Sequence, residues 1–213
     1  MKERPILFSG EMVRAILDGR KTQTRRVIKL NKFPLNTDHF KENYTFNKMS
    51  IDGINAIFGW NGFIEHIKCP YGKPGDELWV KHSWYHYKPT PTNPDNEQAW
   101  DEYTKTVRWI GGQACIDCEP CVDAPVWKKK GPRFMPRWAS RIQLLVKDIR
   151  VERVQEIKPE DIKPEGIKLM SGEFNRDMWD RWKALWDSIN KKRGYGWNEN
   201  PWVWVIEFER IRP

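Results

Sequence analysis

One segment, Arg141 to Val154, most limits what this chain can become. Ile142, Leu144 and Val146 share one face of an extended strand; Ile149 and Val151 then carry the alternation on in the opposite phase. A slip around Lys147-Asp148 predicts a β-bulge or a sharp bend, as a small sheet needs in order to close on itself. The C-terminal stretch is a second strand, with Trp202, Trp204, Ile206 and Phe208 on one face and Val203, Val205, Glu207 and Glu209 on the other. The expected class is α+β: a small, mixed, mostly β barrel with peripheral helices.

Other elements fit around these two. Pro5 to Phe8 reads as a short strand, and Ser9 as the cap of a helix over Glu11 to Asp18. That helix turns Met12, Ile16 and Leu17 inward and ends on Gly19. Thr24 to Ile28 and Leu78 to Trp84 are further strands, and Tyr87 to Asn96 is loop. Pro159 starts a short helix that Gly166 ends. Met178, Trp182, Leu185, Trp186 and Ile189 recur at helical spacing, giving an amphipathic helix over 174–190 whose tryptophan stripe is read as core packing. Residues 30–67 and 86–132 have weak periodicity and are read as two long insertions in a single domain spanning 1–213, the first with short strands around Ile64 to Ile67.

Composition narrows the partner class. A mean hydropathy of -0.78 with 31% charged residues suits a disordered chain, but 13 tryptophans must either pack a core or stack on a ligand. The net charge of +8 favours an anionic partner, nucleic acid first, although a basic balance also suits an ordinary solvated surface. No apolar run approaches the ~18 residues of a membrane-spanning helix. Met1 to Pro5 lacks the apolar core of a secretion signal, and four cysteines without one point to a reducing, cytoplasmic setting.

The chemistry concentrates in Gly19-Arg20-Lys21-Thr22-Gln23-Thr24-Arg25-Arg26. A lysine that can be made neutral beside a threonine hydroxyl is the minimum for an activated oxygen nucleophile. The plainer reading is a solvated basic edge strand. In one continuous strand Lys21 and Thr24 face opposite sides, so they converge only if Lys21 sits in a turn and reaches back along its stem.

The pattern G-x-K-x-x-[E/T]-x-R after a short first helix, met here by Gly19, Lys21, Thr24 and Arg26, resembles the signature of the ASCH domains, a PUA-like barrel family linked to RNA. Most members have glutamate where this chain has Thr24; the threonine form resembles the bacterial N4-acetylcytidine amidohydrolases. The chain is similar end to end to larger phage- and prophage-type ASCH proteins, through Arg4-Pro5-Ile6-Leu7-Phe8, Cys69-Pro70-Tyr71-Gly72, Met135 to Arg141 and Asn200 to Phe208. The resemblance implies a PUA-like barrel and a nucleoside- or RNA-directed function in the host cytoplasm. It also implies a catalytic group of Lys21, Thr24 and Glu165 that removes an acyl group from a modified cytidine without a cofactor. Pro164, directly before Glu165, disfavours a regular helix and bears on where that carboxylate points. The alternatives are a non-catalytic RNA- or nucleotide-binding module and a phage accessory protein.

Substrate binding falls to Arg25 and Arg26, which suit phosphate or a base carbonyl, and to Trp79 and Trp84 as stacking aromatics, of which at most one faces a common cleft. Arg137-Trp138 with Arg141 is another cation–aromatic cluster, or else an edge-strand entry that packs the barrel. Cys115-x-x-Cys118-x-x-Cys121 has the spacing of shared metal ligands, with Cys69, His66, His82 or His86 as a fourth. Pro125 stands where a ferredoxin run has its last cysteine. The site is read as a structural zinc or as free thiols.

Overall fold

A computed structural model describes residues 1–30, 45–60, 63–88, 99–101, 107–108, 126–168 and 175–211. In chain order these form β1 (Glu3–Leu7), α1 (Gly10–Leu17), β2 (Gln23–Val27), β3 (Thr45–Met49), β4 (Asn55–Trp60), β5 (Phe63–Lys68), β6 (Glu77–Lys81) and β7 (Trp84–Lys88). There follow β8 (Ala99–Asp101), β9 (Val107–Arg108), β10 (Val126–Lys130), β11 (Gln143–Arg153), α2 (Pro159–Ile162), α3 (Asn175–Asn190) and β12 (Trp202–Arg210). The fold is α+β, and among the described residues no helix is long and apolar enough to cross a membrane.

The main sheet runs β1-β6-β11-β12-β2, parallel between β1 and β6 and antiparallel elsewhere. Its long strand, β11, shifts register against β12 between Val146 and Asp148. One extra residue reverses the side-chain phase, so Leu144 and Val146 before the shift and Ile149 and Val151 after it enter the same core. Strands β1 and β2, at opposite ends of the strand order, meet through the Arg26 side chain. The Arg26 guanidinium donates to the Leu7 carbonyl and lies 5.0 Å from the Phe8 ring centroid, so the sheet is strongly curled.

One face of this sheet is buried across its strands, and the other is covered over β12. On one, Ile6, Leu78, Val80, Trp204, Ile206 and Phe208 pack with Met12, Val13 and Ile16 of α1. On the other, Val203 and Val205 pack with Ile162 of α2 and with Met178, Trp182 and Trp186 of α3, so the tryptophan stripe is core.

The two segments read as insertions carry sheets of their own. β3-β4-β5 is an antiparallel sheet whose Ala56 and Phe58 are fully buried in the main core, with the Phe58 ring 5.6 Å from that of Trp202. The first segment is therefore built into the fold rather than hung on it. The second supplies β10-β7-β8-β9, and Tyr87 and Lys88, expected in a loop, extend β7.

Candidate functional site

Local structure places Lys21 in a turn. α1 stops at Leu17, and Gly19 takes φ +71°, where a side chain is disfavoured. The Arg20 and Lys21 amides both donate to the Ala15 carbonyl at 2.9 Å, which folds the chain back under the helix. The Thr22 and Gln23 amides then donate to the Pro164 carbonyl at 3.0 and 3.1 Å, and β2 starts there. Ser9 occupies the N-cap of α1 but makes no side-chain cap.

Glu165 is brought to Lys21 by the same junction. α2 is a single turn ending at Ile162, so Pro164 lies beyond it and has no helix to break. Its carbonyl anchors β2, and Glu165 forms an isolated antiparallel bridge with Lys21. Gly166 follows at φ +94°; a Cβ there would stand 3.1 Å from Ala15 Cβ and 3.3 Å from Lys21 Cβ and Cδ. Only a glycine lets the two segments pass this closely.

The Lys21 amine is 3% exposed and donates to three acceptors: Gln23 O at 2.8 Å, Glu165 O at 2.6 Å and Glu165 Oε2 at 3.2 Å. An ammonium has three N–H bonds, and all three are used. Because the Gln23 carbonyl precedes the Thr24 nitrogen, the amine lies against the Gln23–Thr24 peptide, 5.7 Å from the Phe8 ring centroid. Burial pulls its pKa below the ordinary 10.5; Glu165 opposes that pull, and Arg26 and Arg25 reinforce it.

Alternation along β2 puts Thr24 and Arg26 on the face of Phe8 and the main core, and Gln23 and Arg25 on the other. Thr24 is 4% exposed. Arg26 is half-buried; one terminal nitrogen serves Leu7, and Nε has no acceptor among the described residues. Arg25, expected to meet substrate, is held by the protein's own carboxylates, at 3.0 Å each from Glu165 Oε1, Glu152 Oε2 and Asp161 Oδ2. Arg150 joins this network through Glu152, Asp161 and Glu207. Glu152, Asp161, Arg150 and Phe8 were not singled out in the sequence. The cross-strand register that sets Arg150 and Arg25 both opposite Val205 would have found Arg150, but a register is not visible in one strand alone.

The remaining candidates lie apart from Lys21. Trp84 is 3% exposed and packs with Met135 and Ala139, while Trp79 is half-buried on the outward face of β6, between Lys81 and Arg137. Cys69 sits in the main core, and burial raises its thiol pKa to about 11. Cys115, Cys118 and Cys121 lie outside the described residues. Among the described residues, no three His, Cys, Asp or Glu side chains gather as metal ligands. Comparison with protein-family models, curated proteins and solved structures gives no match to this chain.

Proposed function

We propose that this protein is a nucleoside- or RNA-directed ASCH-type protein with a PUA-like barrel, acting as an amidohydrolase on an N-acylated cytidine. One observation carries this reading: a buried lysine of lowered pKa lies against the Gln23–Thr24 peptide, with Glu165 Oε2 at 3.2 Å. Amines that do chemistry are commonly perturbed in this way, by desolvation together with a specific charged partner. The curled sheet, with its edge strands joined through Arg26, agrees with a barrel of this kind.

In the proposed reaction the Thr24 hydroxyl attacks the acyl carbon, and the neutral Lys21 amine takes its proton and passes it to the departing exocyclic nitrogen. The C–N bond breaks and an acyl-threonine forms. Water then cleaves that ester, releasing the carboxylate and restoring Thr24. For this Lys21 must turn its lone pair away from one of its three acceptors, of which Glu165 Oε2 at 3.2 Å is the longest contact. Arg26 Nε, beside Phe8, is a donor suited to a base carbonyl.

A second reading is a binding module without chemistry. The observation that favours it is closure: Lys21, Thr24 and Glu165 are 3%, 4% and 2% exposed, and the amine is saturated by the protein itself. Incubation with N4-acetylcytidine separates the two. Under the first reading wild type releases cytidine, and Lys21→Met and Thr24→Val each lose at least ~100-fold while keeping wild-type circular dichroism. Full turnover by both variants refutes the mechanism. No turnover by wild type, together with saturable nucleotide binding, favours the module.

A further inference from the structure

A different surface says what form the substrate takes. The segment Val126 to Lys147 contains Lys128, Lys129, Lys130, Arg133, Arg137, Arg141 and Lys147 and no acidic residue. It also carries two of the large apolar side chains that the protein leaves in solvent, Phe134 at 71% exposed and Trp138 at 49%. Both stand on a pair of short 3-10 turns, Pro132–Phe134 and Arg137–Ala139, packed beside the outward face of β6.

These turns are fixed rather than loosely attached. Lys81 Nζ donates to the Arg133 carbonyl at 2.8 Å. Arg137 makes a two-point bond to Glu3 at 2.7 and 2.8 Å while covering the Trp79 ring at 5.9 Å. Trp138 meets the buried Trp84 edge-on at 6.0 Å, and Lys130 lies 5.7 Å from that same ring. Two exposed rings, Phe134 and Trp138, thus stand in one basic segment beside Lys81, Lys130 and Arg133. An apolar protein partner would bring no counter-charge to Lys81, Lys130 and Arg133, whereas a chain of bases and phosphates matches both the cations and the exposed rings.

This surface also leads to the candidate site. Lys81 pairs with Leu7, which is 46% exposed, and the Lys81 carbonyl accepts from the Phe8 amide at 3.0 Å. Phe8 is the ring against which both Lys21 and Arg26 lie. Leu7 and Lys81 thus connect the exposed aromatics to the Lys21 junction along one edge of the main sheet.

We infer that Phe134, Trp138, Lys81, Lys130 and Arg133 form a track for a single RNA strand, so that the nucleoside addressed at Lys21 is read within an RNA chain rather than free. The inference rests on the nucleoside-directed reading for what reaches Lys21, but the track itself is tested without any chemistry.

The test uses the full chain and a short, mixed-sequence, fluorescein-labelled single-stranded RNA, followed by anisotropy across a salt series. Phe134→Ala, whose side chain is too exposed to hold the fold, is expected to weaken binding about ten-fold by removing one stacking face. Arg133→Ala is expected to lower the slope of log affinity against log salt by about 0.7, the share of one phosphate contact on a single strand. Both variants should leave hydrolysis of free N4-acetylcytidine unchanged. Wild-type affinity and slope in both variants overturn the track even if hydrolysis is intact. So does a dimer in sedimentation that Phe134→Ala dissociates without altering RNA affinity, which assigns the face to a second copy. RNA binding sensitive to both substitutions in a protein without hydrolase activity upholds the track and removes only the hydrolase.

Discussion

Replacing Glu165 with glutamine isolates what the buried charge cluster does for the fold. The variant keeps the side-chain volume but removes the negative charge beside the Lys21 ammonium, 3% exposed, and its single amide oxygen can serve Lys21 or Arg25 but not both. Arg25 keeps Glu152 and Asp161 at 3.0 Å each, so the uncompensated charge is that of Lys21. Breaking a buried pair from one side costs about 3–5 kcal/mol. A ceiling exists, because Lys21 can lose its proton instead of staying charged. From an ordinary pKa of 10.5, neutralising it costs about 4.8 kcal/mol at pH 7 and about 2 kcal/mol at pH 9.

The sign follows from proton counting. In the variant, the folded pKa of Lys21 lies further below 10.5, so between those two values the unfolded chain holds the extra proton and stability rises with pH. Urea unfolding at pH 7 and pH 9 measures this. The expected loss is about 3 kcal/mol or more at pH 7, capped at about 4.8 kcal/mol, and no more than about 2 kcal/mol at pH 9. The double variant Lys21→Met/Glu165→Gln should be less destabilised at pH 7 than Glu165→Gln alone, since the stranded charge is gone. An equal loss at both pH values, or a double variant that costs the sum of the two singles, refutes the reasoning.

Three further outcomes follow from the same geometry. Gly166→Ala should lower the urea midpoint more than Gly19→Ala: both glycines have positive φ, but a Cβ at 166 meets Ala15 and Lys21 at 3.1–3.3 Å, whereas at 19 it meets nothing within 4 Å. The difference is expected to be at least ~1 kcal/mol. Native protein treated with iodoacetamide at pH 8 should leave the Cys69 peptide unmodified in mass spectra, and urea should expose it. A thiol raised to about 11 carries roughly 100-fold less thiolate there than an ordinary one, and labelling at the native rate of an exposed thiol contradicts the burial. If hydrolysis requires neutral Lys21, activity rises with pH through its lowered pKa. Removing Glu165, whose charge holds that pKa up, should move the limb of any residual activity to lower pH; a shift to higher pH contradicts the assigned electrostatics.

Much of the fold was legible because its signals are local. The slip at Lys147-Asp148 is a register shift, the stop at Gly19 is a left-handed residue, and the stripe from Met178 to Trp186 is a buried helix face. Of the candidate site, Lys21, Thr24 and Glu165 were named from the sequence, whereas Phe8, Arg150, Glu152 and Asp161 were not, and the arrangement was not visible. Lys21 and Glu165 were paired in advance only through a resemblance, since 144 residues separate them. Arg25 was expected to meet substrate because an arginine beside a reactive lysine suits phosphate. Neither its own strand nor its neighbours in sequence announce that Glu152, Asp161 and Glu165 already surround it. Trp79 and Trp84 likewise look alike as letters, yet Trp84 is core and Trp79 lies on the outward face of its strand.

By itself, then, the sequence determined where the chain turns, bends and alternates, because sterics and side-chain periodicity act over a few residues. The tertiary structure decided which charges meet. A salt bridge at 3 Å depends on strand order, register and a glycine that lets two distant segments touch, and those are set by the packing of the whole sheet. The protonation of Lys21, and with it any chemistry at Thr24, belongs to that second level.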